Sequence, residues 1–262
     1  MTATTAGAEQ DGAEVVVLLH SLGTDAGLWA DQQAALTGRY RVVTPDSRGH
    51  GRHPWEGPLD LGIWVADLHE VITGVTDGPV HLAGLSMGGV QALAYAQAHP
   101  ERVASLVLAD TFAGLDPQVA ETKIAGITAA VAAEGMAAYA ERYLAETFVG
   151  PVPAARREQV RRAIAGVPAE AYLASTEVCF RADTSAGLAG ITAPTLVLIG
   201  EHDRKTPLSL SEEIRRGITG AELVQIPGAG HLANVENPEA FTGALLDFLD
   251  RVGEHRIPAA VR

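Results

Sequence analysis

From residue 15 onward, short apolar runs alternate with longer stretches in which apolar residues recur at helical spacing. The runs at 15–19, 41–45, 80–85, 104–109, 195–199 and 223–226 are strand-length and largely apolar without alternation, as expected of strands buried on both faces of a parallel sheet. Between them, 61–75 places Ile63, Val65, Ala66, Leu68, Val71 and Ile72 near one helical stripe, and 87–98 and 238–252 behave alike. The pattern predicts an α/β fold, a mostly parallel sheet flanked by helices.

The alternation stops between Phe112 and Pro194, where Ala, Glu and Arg dominate and Gly150-Pro151-Val152-Pro153 interrupts several helical patterns. Two domains follow: a core of residues 1–111 and 194–262, and a helical cap of 112–193. The strand-like flanks of the insertion read as neighbours in the sheet, so the cap is expected over the sheet's carboxyl edge, where open α/β sheets bind ligands.

The length of 262 residues, with 47% hydrophobic and 19% charged positions, suits a globular chain with a large core. A net charge of −13 argues against nucleic acid or an anionic membrane as partner. No basic and apolar leader opens the chain and no run is apolar enough to span a bilayer, so a cytoplasmic protein is expected. Cys179 is the single cysteine, which excludes an intrachain disulfide and reads as a small buried residue.

Gly84-Leu85-Ser86-Met87-Gly88-Gly89 lies between a strand and a helix. Gly-x-Ser-x-Gly in that context is a nucleophile elbow, in which small flanking residues permit the turn that lifts the serine hydroxyl clear of the backbone. A serine needs a base, and of nine histidines His231 stands out in Pro227-Gly228-Ala229-Gly230-His231, directly after the last strand. Asp203, after the strand at 195–199, completes the order Ser, Asp, His as the acid that holds the imidazole. Asp110 and Glu201 are weaker candidates for that acid, and Asp46 reads as structural. The oxyanion donors are expected from the backbone N–H groups of Met87 and of Leu22, in the loop after the first core strand. Neither a metal-ligand spacing nor a phosphate-binding loop is found, so no cofactor or metal is expected.

Together with Trp29, the segments His20-Ser21-Leu22-Gly23-Thr24-Asp25, Asp46-Ser47-Arg48-Gly49-His50-Gly51, the elbow, and His231-Leu232-Ala233-Asn234-Val235-Glu236-Asn237-Pro238 resemble the α/β-hydrolase family, most of all the 3-oxoadipate enol-lactonases. The resemblance implies a cofactor-free serine hydrolase that opens a lactone or cleaves an ester of a small molecule through an acyl-serine intermediate. It also implies a cation for a substrate carboxylate, for which Lys123, Arg142 and Arg181 are available; Ser21 and Trp29 are further candidate substrate contacts, Trp29 reading equally as core packing. The family's first two strands are expected to be short or missing, because few residues precede Val15, leaving the sheet edge to a partner chain or to solvent. The same triad could serve a C–C bond hydrolase or a cofactor-free perhydrolase. A ligand-binding, receptor-like protein with incidental turnover is the alternative from a different class. Oligomeric state is not legible.

Overall fold

The structure is a computed structural model that describes residues 1–7 and 13–256. In chain order its strands and helices are β1 (Thr2–Gly7), β2 (Val15–Leu19), α1 (Ala30–Leu36), β3 (Arg41–Asp46), α2 (Leu61–Val75), β4 (Val80–Leu85), α3 (Met87–Ala98) and β5 (Val103–Ala109). They continue as α4 (Pro117–Thr147), α5 (Ala154–Gly166), α6 (Ala169–Arg181), β6 (Thr195–Gly200), α7 (Leu208–Gly217), β7 (Glu222–Ile226), α8 (Ala233–Glu236) and α9 (Pro238–Arg256).

The seven strands form one sheet in the order β1-β3-β2-β4-β5-β6-β7. All pairings are parallel except that of β1 with β3. Every residue of β2, β4, β5 and β6 is buried, which is why these strands read as unbroken apolar runs. Two hydrophobic clusters lie on the two faces of the sheet: one gathers Val16, Leu18, Trp29, Trp64 and Phe241, the other Val15, Val17, Leu19, Leu68 and Tyr95. The odd and even residues of β2 thus fall into opposite layers, as the two-residue period of a strand requires.

At the amino-terminal edge, where the first two family strands are expected to be short or missing, the described residues hold one short strand. One antiparallel strand does form ahead of Val15: Thr2 to Gly7 pairs with Asp46 to Arg41 and covers the outer edge of β3 with this chain's own residues. Its residues alternate between half-buried (Thr2, Thr4, Ala6) and exposed (Ala3, Thr5, Gly7), which suits an edge strand with one face in water. The few residues ahead of Val15 thus suffice for one edge strand. Residues 8–12 and 257–262, included in the expected core, lie outside the described residues.

The order places β3 on one side of β2 and β4 on the other. Their carboxyl ends therefore diverge at a topological switch point, which opens a crevice there. Helices α4, α5 and α6 all lie in the connection between β5 and β6. Asp116 caps α4 by accepting from the N–H groups of Gln118 and Val119, and at Gly135 the helix breaks in an extended left-handed conformation (φ 72°, ψ 164°) that only glycine adopts without strain. Among the described residues no helix is long and apolar enough to cross a membrane.

Candidate active site

Ser86 sits between β4 and α3 with φ 55° and ψ −115°, a strained conformation for a residue with a side chain. The turn closes only because its neighbours lack side chains. A Cβ on Gly84 would stand 2.1 Å from the Gly88 carbonyl oxygen, one on Gly88 2.3 Å from that of Leu19, and one on Gly89 2.5 Å from the Thr111 hydroxyl. The Ser86 N–H donates to the Ala109 carbonyl at 2.9 Å, and the Thr111 hydroxyl donates to the Ser86 carbonyl at 2.7 Å.

The three expected residues meet. His231 Nε2 lies 3.0 Å from Ser86 Oγ, and His231 Nδ1 lies 2.8 Å from Asp203 Oδ2. Asp203 Oδ1 also accepts from the N–H groups of Lys205 at 2.8 Å and Thr206 at 3.1 Å, and Oδ2 accepts from the Thr206 hydroxyl. Burial alone would raise the Asp203 carboxyl, but the His231 charge and the donors from His231 and Thr206 outweigh it and hold the group at about 2. An ionised Asp203 accepts the hydrogen bond of the Nδ1–H group, which fixes the tautomer and leaves Nε2 free to accept from the serine hydroxyl.

The other carboxylates considered for the acid are engaged elsewhere. Glu201 Oε2 accepts from the Gly228 N–H at 2.8 Å. Asp46 accepts from Ala26 N–H and from Arg52, a structural role. Asp110 is fully buried and accepts from the N–H groups of Gly200 and Ala233.

The loop after β2 is locked by its own hydrogen bonds. The Ser21 carbonyl accepts from His20 Nδ1 at 2.8 Å and from the Thr24 hydroxyl and N–H, while His20 Nε2 accepts from the Ser47 N–H at 3.0 Å. These partners assign His20 as the neutral Nδ1–H tautomer, in line with the lowering of its pKa by burial. Of the two residues expected to supply oxyanion donors, Leu22 lines the cavity over Ser86, and Met87, directly after Ser86 at the start of α3, is buried.

A cavity of about 250 Å³ opens over Ser86 and His231 beneath the helices of the insertion. Its lining is aromatic in Tyr139, Tyr143, Tyr172 and Phe180, with the Tyr172 hydroxyl donating to that of Tyr139 at 3.0 Å. Three cations lie over these rings, Lys123 over Phe180, Arg142 over Tyr139 and Lys205 over Tyr143, with one carboxylate, Glu146, in the lining. Arg142 is held by Glu134 at 3.1 Å and Glu146 at 3.0 Å. Lys123 Nζ donates to the Lys205 carbonyl at 3.3 Å. Lys205 has one carboxylate within 4 Å among the described residues, Glu146 at 3.7 Å, and its ammonium lies 4.6 Å from the Tyr143 ring centre. Burial lowers the Lys205 pKa, partly offset by Glu146.

Three of the expected substrate contacts, Arg181, Trp29 and Ser21, do not line the cavity. Arg181 points away from the cavity and is paired on the surface with Glu121 at 2.7 Å and Glu177 at 3.0 Å. Trp29 is fully buried, 5.9 Å from the Phe241 ring, and belongs to the core. Trp29→Ala is therefore expected to cost about 3–5 kcal/mol of stability with little change in KM, a result that denaturant unfolding and steady-state kinetics check together. Ser21 is buried behind the cavity, beside Tyr143, rather than lining it. Sequence reasoning passed over Lys205, Glu146 and the tyrosines. Lys205 alone left a local signal, two residues beyond Asp203 in the same loop.

The model of the Alpha/beta hydrolase family matches residues 16–244. A putative carbamate hydrolase, RutD, of Variovorax paradoxus is 33% identical, with 94% of this chain and 95% of the relative aligned. The enol-lactonase of Burkholderia xenovorans LB400 superposes with a TM-score of 0.85 at 30% identity, covering 95% of this chain and 96% of that one. A thermophilic esterase of Thermogutta terrifontis, solved with malate bound, gives 0.84 at 30% identity, with 96% and 93% covered. The chain belongs to the alpha/beta hydrolase family.

Proposed function

We propose that this protein hydrolyses a carboxylic ester or lactone of a small molecule through an acyl-serine intermediate, with Ser86 as nucleophile, His231 as general base and Asp203 as the orienting acid. The observation that carries the reading is the continuous chain from Ser86 Oγ to His231 Nε2 at 3.0 Å and from His231 Nδ1 to Asp203 at 2.8 Å. Ser86 Oγ attacks the carbonyl carbon while His231 Nε2 takes its proton. The tetrahedral oxyanion is held by the N–H groups of Leu22 and Met87. As the intermediate collapses, His231 returns the proton to the departing oxygen, which leaves as an alcohol or, from a lactone, stays tethered as a hydroxyl or enol. A water molecule, deprotonated by His231, then releases the acid and restores Ser86. Residues 112–193 act as a cap that sets the cavity's shape over a core of 1–111 and 194–262. The relative named as a putative carbamate hydrolase favours a second reading, a carbamate carbonyl met by the same triad. Turnover of matched ester, lactone and carbamate substrates by wild type and Ser86→Ala separates the two.

The substrate carries a carboxylate, and Lys205 is its anchor. Three cations against one carboxylate on the cavity wall of a protein with net charge −13 support this, as do an enol-lactonase and a malate-bound esterase among the similar structures. Arg142, expected in this role, has two carboxylates within 3.1 Å, whereas Lys205 has, among the described residues, only the looser Glu146. Lys205→Gln is expected to raise KM for monoethyl succinate by about 10–100-fold and to leave the neutral ester ethyl butyrate within about twofold. Equal effects on both esters would remove Lys205 from the anchor role.

A further inference from the structure

Strand β5 lies between β4, which delivers Ser86, and β6, which delivers Asp203. The three residues at its end each reach a different part of the site. The Ala109 carbonyl accepts from the Ser86 N–H at 2.9 Å. The Asp110 carboxyl accepts from the Gly200 N–H at 2.8 Å, three residues before Asp203, and from the Ala233 N–H at 3.4 Å, two residues after His231. The Thr111 hydroxyl donates to the Ser86 carbonyl at 2.7 Å. Thr111 is also the group for which Gly89 of the elbow leaves room, since any Cβ there would stand within 2.6 Å of its side-chain atoms.

We propose that Ala109-Asp110-Thr111 is the positioning unit that sets the nucleophile, acid and base loops in register, with Asp110 as its central positioning residue. Asp110 touches no reacting atom. It acts by holding the Gly200 and Ala233 amides, and so fixes the distance between the loops from which Asp203 and His231 project. Nothing about this residue is cheap to keep. It is fully buried, it adopts φ 46° although it is not glycine, and burial and the nearby Asp203 push its carboxyl well above the usual carboxylate range. Strain and an uncomfortable buried acid persist where the surroundings gain from them, and the gain here is a pair of buried amides satisfied at two separate places, the end of β6 and the start of α8. Asp110 N–H also donates to the Leu198 carbonyl at 2.9 Å, which extends the β5–β6 ladder up to the acid turn.

The unit acts on the triad assigned under Proposed function and rests on that reading. The test uses Asp110→Ala, Asp110→Asn and Thr111→Val in the full chain, with kcat, KM and thermal unfolding measured on one p-nitrophenyl ester beside Ser86→Ala. A small misplacement of catalytic groups costs on the order of 10²-fold in rate. Asp110→Ala is thus expected to lower kcat by about 10²-fold with KM within about threefold. Asp110→Asn should recover to within about tenfold of wild type, because its amide oxygen still accepts from Gly200. Thr111→Val, which keeps the shape and removes only the hydroxyl, is expected to lower kcat about tenfold. Folded Asp110→Ala or Thr111→Val with wild-type kcat overturns the proposal, as does a loss confined to KM. Should Asp110→Ala fail to fold, Thr111→Val and the asparagine variant decide by the same criteria. Turnover retained by Ser86→Ala would instead overturn the triad itself, so the two failures are distinct.

Discussion

Replacing Ser86 with alanine is expected to lower kcat on a short-chain activated ester by about 10⁶-fold, the scale seen when a triad nucleophile is deleted. The reason is geometric. Ser86 Oγ is the group that the elbow presents to His231 Nε2 at 3.0 Å inside the cavity, and alanine fits the same strained turn without disturbing the tight approaches at Gly84, Gly88 and Gly89. The fold should therefore survive while the covalent step disappears. Steady-state kinetics with thermal unfolding on the same sample checks both halves of this expectation.

The second large effect is at Asp203. Asp203→Asn is expected to lower kcat by about 10⁴-fold with little change in KM. The asparagine amide would present a donor to His231 Nδ1 at the 2.8 Å contact and favour the tautomer whose Nε2 carries the proton and cannot take one from Ser86. Asp110→Asn, the matched change in the neighbouring carboxyl, is expected to stay within about tenfold of wild type. If instead Asp110→Asn lost 10⁴-fold and Asp203→Asn stayed active, the acid would be Asp110. The same pair of loops carries a pH signature. With its folded pKa depressed to about 2, Asp203 contributes stability that is fully present above its ordinary value of 3.8, and that contribution is lost as pH falls through about 2.

Much of this site is legible because its parts are local. A strand, Gly84-Leu85-Ser86-Met87-Gly88 and a helix follow one another without interruption, so the turn can be read from adjacent residues. His231 and Asp203 follow from chain order, since each sits in a loop at the carboxyl end of a strand of a parallel sheet. What depends on the meeting of distant segments was not legible. Trp29 and Arg181 resemble contact residues by type, yet their surroundings are set by Phe241, 212 positions away in a core layer, and by Glu121 on another helix. Lys205 becomes a cavity residue only when α4 brings Glu146 and Tyr143 against the acid loop. β1 was not legible for the opposite reason: the six small residues Thr-Ala-Thr-Thr-Ala-Gly gain their stability by pairing with β3, and edge pairing leaves no apolar run in the sequence.

The acyl-serine role of Ser86 is tested most directly by intact-mass and peptide mapping of wild type and Ser86→Ala after incubation with a reactive organophosphonate, with ester turnover followed in parallel. One adduct per wild-type chain is expected, located at Ser86, with complete loss of turnover in step with labelling and no adduct on Ser86→Ala. Turnover that persists in fully labelled protein, or an adduct on a residue other than Ser86 that abolishes activity, would contradict it.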